Sequence, residues 1–235
     1  MKIEIWSDFV CPFCYLGKRR LEMALDQFPH QEHVKIEFKS YELDPHAEKD
    51  YNMNYLSLLA NKYEMTIEKA RMMTEEVQKQ AQDIGLAFNF ELMQPTNTFD
   101  AHRLVKYAMK QGKDNDLVER ILKAYFIQSE NIGNHVTLEN LAYDIELDRD
   151  EVESVLVTNA YTRAVRDDED EARQLGVQGV PFFVFNEMYA VSGAQPPEVF
   201  LEVLEKIWAD MKDHPERKLR MRGSETTYCC GDDCD

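Results

Sequence analysis

The stretch IEIWSDFVCPFCYLGKRRLEMAL (residues 3–25) decides the fold. Residues 2–6 alternate apolar and polar, the period-2 pattern of a strand. Leu16, Leu21, Leu25 and Phe28 then form a helical stripe. Between strand and helix stand Cys11 and Cys14, with Pro12 at the first helical turn. Proline is favoured there because its missing N–H would have been unpaired anyway.

A zinc site needs two further ligands beside this pair. The other three cysteines, Cys229, Cys230 and Cys234, lie at the far end of the chain. A permanent disulfide would close a loop too small to constrain the unfolded chain much. A redox pair fits the position. The Cys11 sulfur, exposed at the helix start, faces free backbone N–H groups and the positive end of the helix dipole, and both favour the thiolate. Cys14, one turn on, is buried behind it. Cys11 is therefore the expected nucleophile and Cys14 the expected resolving thiol.

Further along, HVKIEFKSYEL (residues 33–43) alternates again and ends at Asp44-Pro45, giving strand, helix, strand. From about residue 54 to residue 176 only helical periodicity is found, as in Ile67, Ala70, Met73, Val77, Ala81 and Ile84. In this region Thr137 and Asp148 are the expected N-caps of two helices. Strand character returns at VQGVPFFVFN (residues 177–186) and MYAVSG, with NEM as a tight hairpin turn. A last helix runs through Phe200, Val203, Leu204, Ile207, Trp208 and Met211. The expected fold class is α/β, one sheet unit interrupted by an all-helical domain. Residues 1–48 and 175–212 make the split sheet domain and 49–174 the helical insertion. Residues 213–235 have no apolar period and read as a flexible tail.

The chain has 235 residues, 44% of them hydrophobic, so it is globular rather than disordered. Its net charge of −17, from 44 acidic and 27 basic residues, repels phosphate backbones and anionic lipid. Neither nucleic acid nor membrane is an expected partner. No apolar run reaches the length of a membrane span. The N-terminus lacks the apolar core and cleavage site of a signal peptide, so the expected compartment is the cytoplasm. The run RDDEDEAR (residues 166–173) reads as a solvated helix face, and no metal site is expected.

In GVPFFVF, Pro181 heads an apolar strand, where it cannot serve as an interior ladder residue. It either opens an edge strand or forms a cis bond with Val180 that presents the Val180 backbone to an incoming peptide. The upstream Cys-Pro-Phe-Cys favours the second.

Four motifs in this order, SDFVCPFCYLGKRRLE, PTNTFDAHRL, GVQGVPFFVFN and VSGAQPPEVF, resemble the DsbA-like thioredoxin-fold oxidoreductases, in particular the FrnE-like subgroup. That group is related to 2-hydroxychromene-2-carboxylate isomerases and kappa-class glutathione transferases. The resemblance covers residues 1–212. It implies a thioredoxin fold split by a large helical domain, a catalytic dithiol at Cys11 and Cys14, and cis-Pro181 facing it. Val180, Pro12 and Phe13 would then bind substrate. The implied partners are thiol- or disulfide-containing polypeptides. The redox-active disulfide would be the only cofactor, with glutathione a candidate co-substrate. The competing reading is a glutathione-dependent isomerase or kappa-type transferase, but those resemble this chain with a serine in place of Cys11 and no dithiol. A third is a redox-sensing adaptor without turnover.

Two departures matter. Secreted DsbA enzymes carry an export signal and a histidine between the cysteines, where Phe13 stands here. Phenylalanine cannot donate a hydrogen bond to the thiolate. The expected potential therefore falls between DsbA's ~−120 mV and thioredoxin's ~−270 mV. Thioredoxins also bury a carboxylate where this chain has Ile5. Asp8 is the nearest carboxylate, a candidate for proton transfer or for the helix N-cap. Asn97, Asp100 and His102 either line a cleft between the domains or only cap and pack. In the terminal YCCGDDCD, Cys229 or Cys230 can pair with Cys234 as a second redox couple, whereas a bridge between the adjacent cysteines is strained. Exposed tail thiols and metal capture are the other readings.

Overall fold

The computed structural model describes residues 1–213. The chain opens with β1 (Lys2–Ser7), α1 (Pro12–Leu25), a 3-10 turn at Gln31–His33 and β2 (Lys35–Ser40). It returns to the sheet with β3 (Phe182–Phe185) and β4 (Tyr189–Ser192) and continues into α9 (Pro197–Asp213). The strand order is β2-β1-β3-β4, with β1 parallel to β2, antiparallel to β3, and β3 antiparallel to β4. The β3–β4 hairpin turns through Asn186 and Glu187, at φ 51° and 54°, and the Met188 N–H closes onto the Phe185 carbonyl at 2.9 Å. Two successive residues at positive φ match the twist of the flanking strands.

Strand register sorts the side chains onto two faces. Ile5 opposes Phe183 and Ile3 opposes Phe185. All four are buried. This face carries α1 and α9: Gly17 lies against Phe183, and Phe200 meets the Phe183 ring edge-on at 4.8 Å. On the opposite face Trp6 and Val184 pack with Ala172 and Val177. Ala172 belongs to α8 (Thr162–Gln174).

The acidic run in α8 is not wholly solvated. Asp168 is buried, accepts the Ser40 N–H at 2.7 Å, and through its carbonyl accepts the Trp6 indole N–H at 3.0 Å. Lys39 adds an ion pair to Glu171 at 3.0 Å. These bonds tie the second half of α8 to the sheet. Two compact units result, one of Glu42–Arg166 and the other of Met1–Tyr41 with the chain from Asp167 onward. The junctions therefore fall several residues before those read from periodicity, the second of them inside α8. A continuous helical pattern gives no mark where a helix changes partners.

The helical unit contains α2 (Tyr55–Lys62), α3 (Ile67–Gln82), α4 (Phe99–Lys110), α5 (Asp114–Phe126), α6 (His135–Asp144) and α7 (Arg149–Val157). Leu117, Ile121, Phe126, Leu138 and Leu141 are fully buried in it, and Phe88 stacks on Phe126 at 4.7 Å. Asp148 caps α7 by accepting the Glu151 N–H. The cap of α6 is Asn134, not Thr137, which sits inside the helix. Asn134 Oδ1 accepts the N–H groups of both Val136 and Thr137, at 2.8 and 3.4 Å. An asparagine side chain can serve two donors at once, and here it starts the helix three residues earlier.

Among the described residues no helix is long and apolar enough to cross a membrane. Helix α9 continues through Asp213, and the Cys229, Cys230 and Cys234 cluster lies outside the described residues.

Candidate active site

The end of β1 and the start of α1 build the site. After Ser7 the chain turns so that the Cys11 N–H reaches the Asp8 carbonyl at 3.2 Å. Cys11 is the N-cap of α1, with extended backbone at φ −88° and ψ 112°, and Pro12 follows as the first helical residue. The first-turn N–H groups and the positive end of the helix macrodipole therefore lie at Cys11. Asp8 is not the cap. Its side chain is buried, and its backbone serves both cysteines: the carbonyl accepts from Cys11, and the N–H donates to Cys14 Sγ at 3.4 Å.

Both cysteines are unbridged. Cys14 is 2% exposed, and Cys11, expected on the surface, is only 5% exposed. The reason lies 169 residues on, where the Val180 carbonyl accepts the Cys11 thiol hydrogen bond at 3.5 Å and covers the sulfur. The asymmetry between the thiols therefore rests on environment more than on exposure. Burial pushes the Cys14 thiol well above its ordinary value, and the neighbouring Cys11 sulfur adds to the shift. Hydrogen bonds with the Ser7 side chain and the Asp8 N–H pull the other way without cancelling it. A Cys14 that keeps its proton is a weak nucleophile.

The Val180–Pro181 peptide bond is cis. Pro181 is buried, Val180 is half-buried, and among the described residues the Val180 N–H has no hydrogen-bond partner. An unpaired backbone N–H of this kind can pair with an extended peptide. Beside it, Pro12 is half-buried and Phe13 is 43% exposed, an apolar rim next to Cys11.

Two contributors escaped the sequence reading. Ser7, the last residue of β1, bonds the Cys14 thiol. Gly17 lets α1 approach Pro181: a Cβ there would stand 3.0 Å from Pro181 Cγ and 3.1 Å from Phe183 Cζ. A glycine inside a helix costs about 1 kcal/mol against alanine, so its presence was the available signal. Ile5, where thioredoxins bury a carboxylate, is apolar and buried here. The buried Glu4 points to the face opposite α1 and is ion-paired to Lys2 at 2.8 Å and Lys39 at 3.4 Å.

Asn97, Asp100 and His102 belong to the helical unit. Asn97 Oδ1 accepts the Phe99 N–H and its amide donates to the Ala47 carbonyl. Asp100 is buried and bonded to Lys49, Arg103 and His135. His102 is buried in α4. Among the described residues no group of His, Cys, Asp or Glu is arranged to hold a metal ion.

The structure is similar to that of a probable DsbA oxidoreductase from Streptomyces coelicolor, with a TM-score of 0.85 and 40% identity over 99% of this chain and 97% of that one. It also resembles the cytosolic disulfide reductase DsbM from Pseudomonas aeruginosa, at a TM-score of 0.62 and 15% identity over 89% of this chain and 99% of that one, a likeness of fold alone. In sequence it is 27% identical over 201 residues to YwbO, an uncharacterised protein of Bacillus subtilis (strain 168), covering 84% of this chain and 92% of that protein. Residues 2–205 match the DSBA-like thioredoxin domain, and the chain belongs to that family.

Proposed function

We propose that the protein is a thiol–disulfide oxidoreductase acting on polypeptide thiols and disulfides through Cys11 and Cys14. The observation that carries this reading is the placement of Cys11 Sγ. It sits at a helix N-terminus and 3.5 Å from the carbonyl of Val180, whose N–H has no partner among the described residues, with Cys14 held protonated behind it. In the reductive direction the Cys11 thiolate attacks one sulfur of a substrate disulfide. The S–S bond breaks, a mixed disulfide forms, and the other substrate sulfur leaves as a thiolate that takes up a proton. Cys14 then loses its proton and attacks Cys11 Sγ. The second substrate sulfur departs and is protonated, and two electrons have passed from the dithiol to the substrate. Two equivalents of an external thiol, for which glutathione is our candidate, return the Cys11–Cys14 disulfide to the dithiol and leave joined as their own disulfide. The reverse sequence oxidises a substrate dithiol. No cofactor beyond the cysteine pair enters the scheme.

Support for glutathione comes from the DsbM reductase, a protein of this fold whose structure with GSH is known. That reductase is cytosolic, and we assign this protein to the same compartment, where glutathione is available. The dithiol argues against the glutathione-transferase reading, since Cys14 has no role in that chemistry.

Insulin reduction and trapping test the proposal. Cys14→Ser should accumulate a mixed disulfide between Cys11 and substrate, visible by mass. Peptide-mapped alkylation of the reduced protein should label Cys11 far faster than Cys14, and equal rates would overturn the assignment. The redox potential of the pair, expected between ~−120 and ~−270 mV, fixes the direction of the reaction.

A further inference from the structure

Helix α1 reaches past the dithiol to a second set of contacts. One turn beyond Cys14, Gly17 leaves room for Pro181 and for residue 194: the missing Cβ would lie 3.0 Å from Pro181 Cγ and 3.5 Å from the Ala194 backbone. Three residues on, on the same helix face, Arg20 Nη1 donates to the Ala194 carbonyl at 2.5 Å. Residues 193–195, between β4 and α9, form a strap. Its Gly193, at φ 78°, donates its N–H to the Pro181 carbonyl at 2.8 Å, and Gln195 closes the strap by donating its N–H to the Gly193 carbonyl at 3.0 Å. A continuous path of bonds therefore runs from Arg20 through the strap to Pro181, next to the Val180 carbonyl that covers Cys11 Sγ.

We propose that Gly17 and Arg20 are positioning residues, which clamp the strap at residues 193–195 to α1 and so hold the Val180–Pro181 backbone at its working distance from Cys11. The proposal rests on the oxidoreductase reading for its effect on turnover. Gly17 sets how closely the two segments approach, and Arg20 keeps them from drifting apart. A polypeptide substrate has to align on Val180 while its sulfur meets Cys11, so the clamp governs peptide substrates more than small disulfides.

The test uses full-length protein and three variants, Arg20→Ala, Arg20→Lys and Gly17→Ala, with melting temperature as the control for folding. Reduction of insulin and of 5,5′-dithiobis(2-nitrobenzoate) is compared. Arg20→Ala should lose about tenfold more rate on insulin than on the small disulfide, the scale expected when reacting groups are misplaced by a fraction of an ångström. Arg20→Lys should recover much of the difference, because an ammonium reaches the same carbonyl. Gly17→Ala should show the selective loss by pushing Pro181 away. Equal losses on the two substrates, or none, would overturn the clamp. Alkylation of Cys11 by iodoacetamide needs no turnover: releasing the strap should raise its rate severalfold in Arg20→Ala, and an unchanged rate overturns the clamp. Failure of the unaltered protein to reduce either disulfide would instead overturn the oxidoreductase reading.

Discussion

In the helical unit, the Asp100 carboxylate receives Lys49 at 2.6 Å, His135 at 2.8 Å and Arg103 at 2.8 and 3.1 Å. Arg103, itself 3% exposed, spends its remaining donors on the carbonyls of Val155, Leu156, Thr158 and Ala160, which close the end of α7. In the thioredoxin unit, the Cys11 thiol makes a long bond to the Val180 carbonyl and a hydrogen bond with Cys14, and the Val180 N–H is left unpaired among the described residues. Both places are polar and buried. The first is saturated and holds a helix end. The second keeps bonding capacity in reserve, which the proposed function assigns to a substrate.

This contrast is open to attack at four points. The largest effect belongs to Cys11→Ser. It should remove insulin reduction entirely and leave the melting temperature within a degree or so of the parent. A large fall in melting temperature would make the cysteine part of the scaffold and erase the contrast. Next comes Arg103→Leu, which strips the most buried of three partners from the Asp100 carboxylate and uncaps α7. The expected cost is about 3–5 kcal/mol in urea unfolding, the range for breaking a buried pair on one side. A loss under about 1 kcal/mol would mean that the cluster is not the fixture its geometry indicates.

The third point is pH. Asp100 is held at about 2, below its ordinary 3.8, by hydrogen bonds from Lys49, Arg103 and His135 that outweigh the opposing effect of burial. A depressed carboxyl stabilises the fold fully above its ordinary value, and the contribution drains away as pH falls towards the folded value. Between about pH 4 and about pH 2 the protein should lose on the order of 1–2 kcal/mol through this group, allowing for solvent screening. Asp100→Asn should flatten that part of the profile measured by urea titration. The smallest effect is expected from Ser7→Ala. Ser7 lowers the Cys14 value, so its loss leaves less thiolate and should slow resolution of a preformed mixed disulfide by about three- to tenfold, one hydrogen bond's worth. A faster resolution in stopped-flow measurement would reverse the sign and remove Ser7 from the site.

What the sequence disclosed follows the range of its signals. Alternation at residues 2–6 and a helical stripe from Leu16 define β1 and α1 without reference to any distant residue, and the cysteine pair stands at their junction. The proline at 181 is visible because proline is incompatible with an interior ladder. Gly17, Ser7 and Arg103 were not legible as partners, because each acts on a segment distant in the chain or, like Ser7, through a rotamer that periodicity does not encode. Asp100 was singled out for its chemistry, yet the three basic side chains around it could be found only in three dimensions. The same limit explains Asp168: within a run of acids nothing marks the one whose carboxylate is turned inward to the Ser40 N–H.

The discontinuity of the thioredoxin unit has a consequence in time. Cys11 and the Val180 that covers it are separated by 169 residues, and β1 pairs with β3 across a similar gap. At a synthesis rate of about 5–20 residues per second, roughly 10–30 s pass between translation of the two. During that interval the nascent chain carries both thiols on half a sheet, with β2 as the only strand partner yet made for β1. The dithiol is born before the Val180–Pro181 segment that we propose selects its substrates. On the proposed function, reactivity and recognition thus arrive in sequence on the ribosome, and a chain halted inside the helical unit would carry the first without the second.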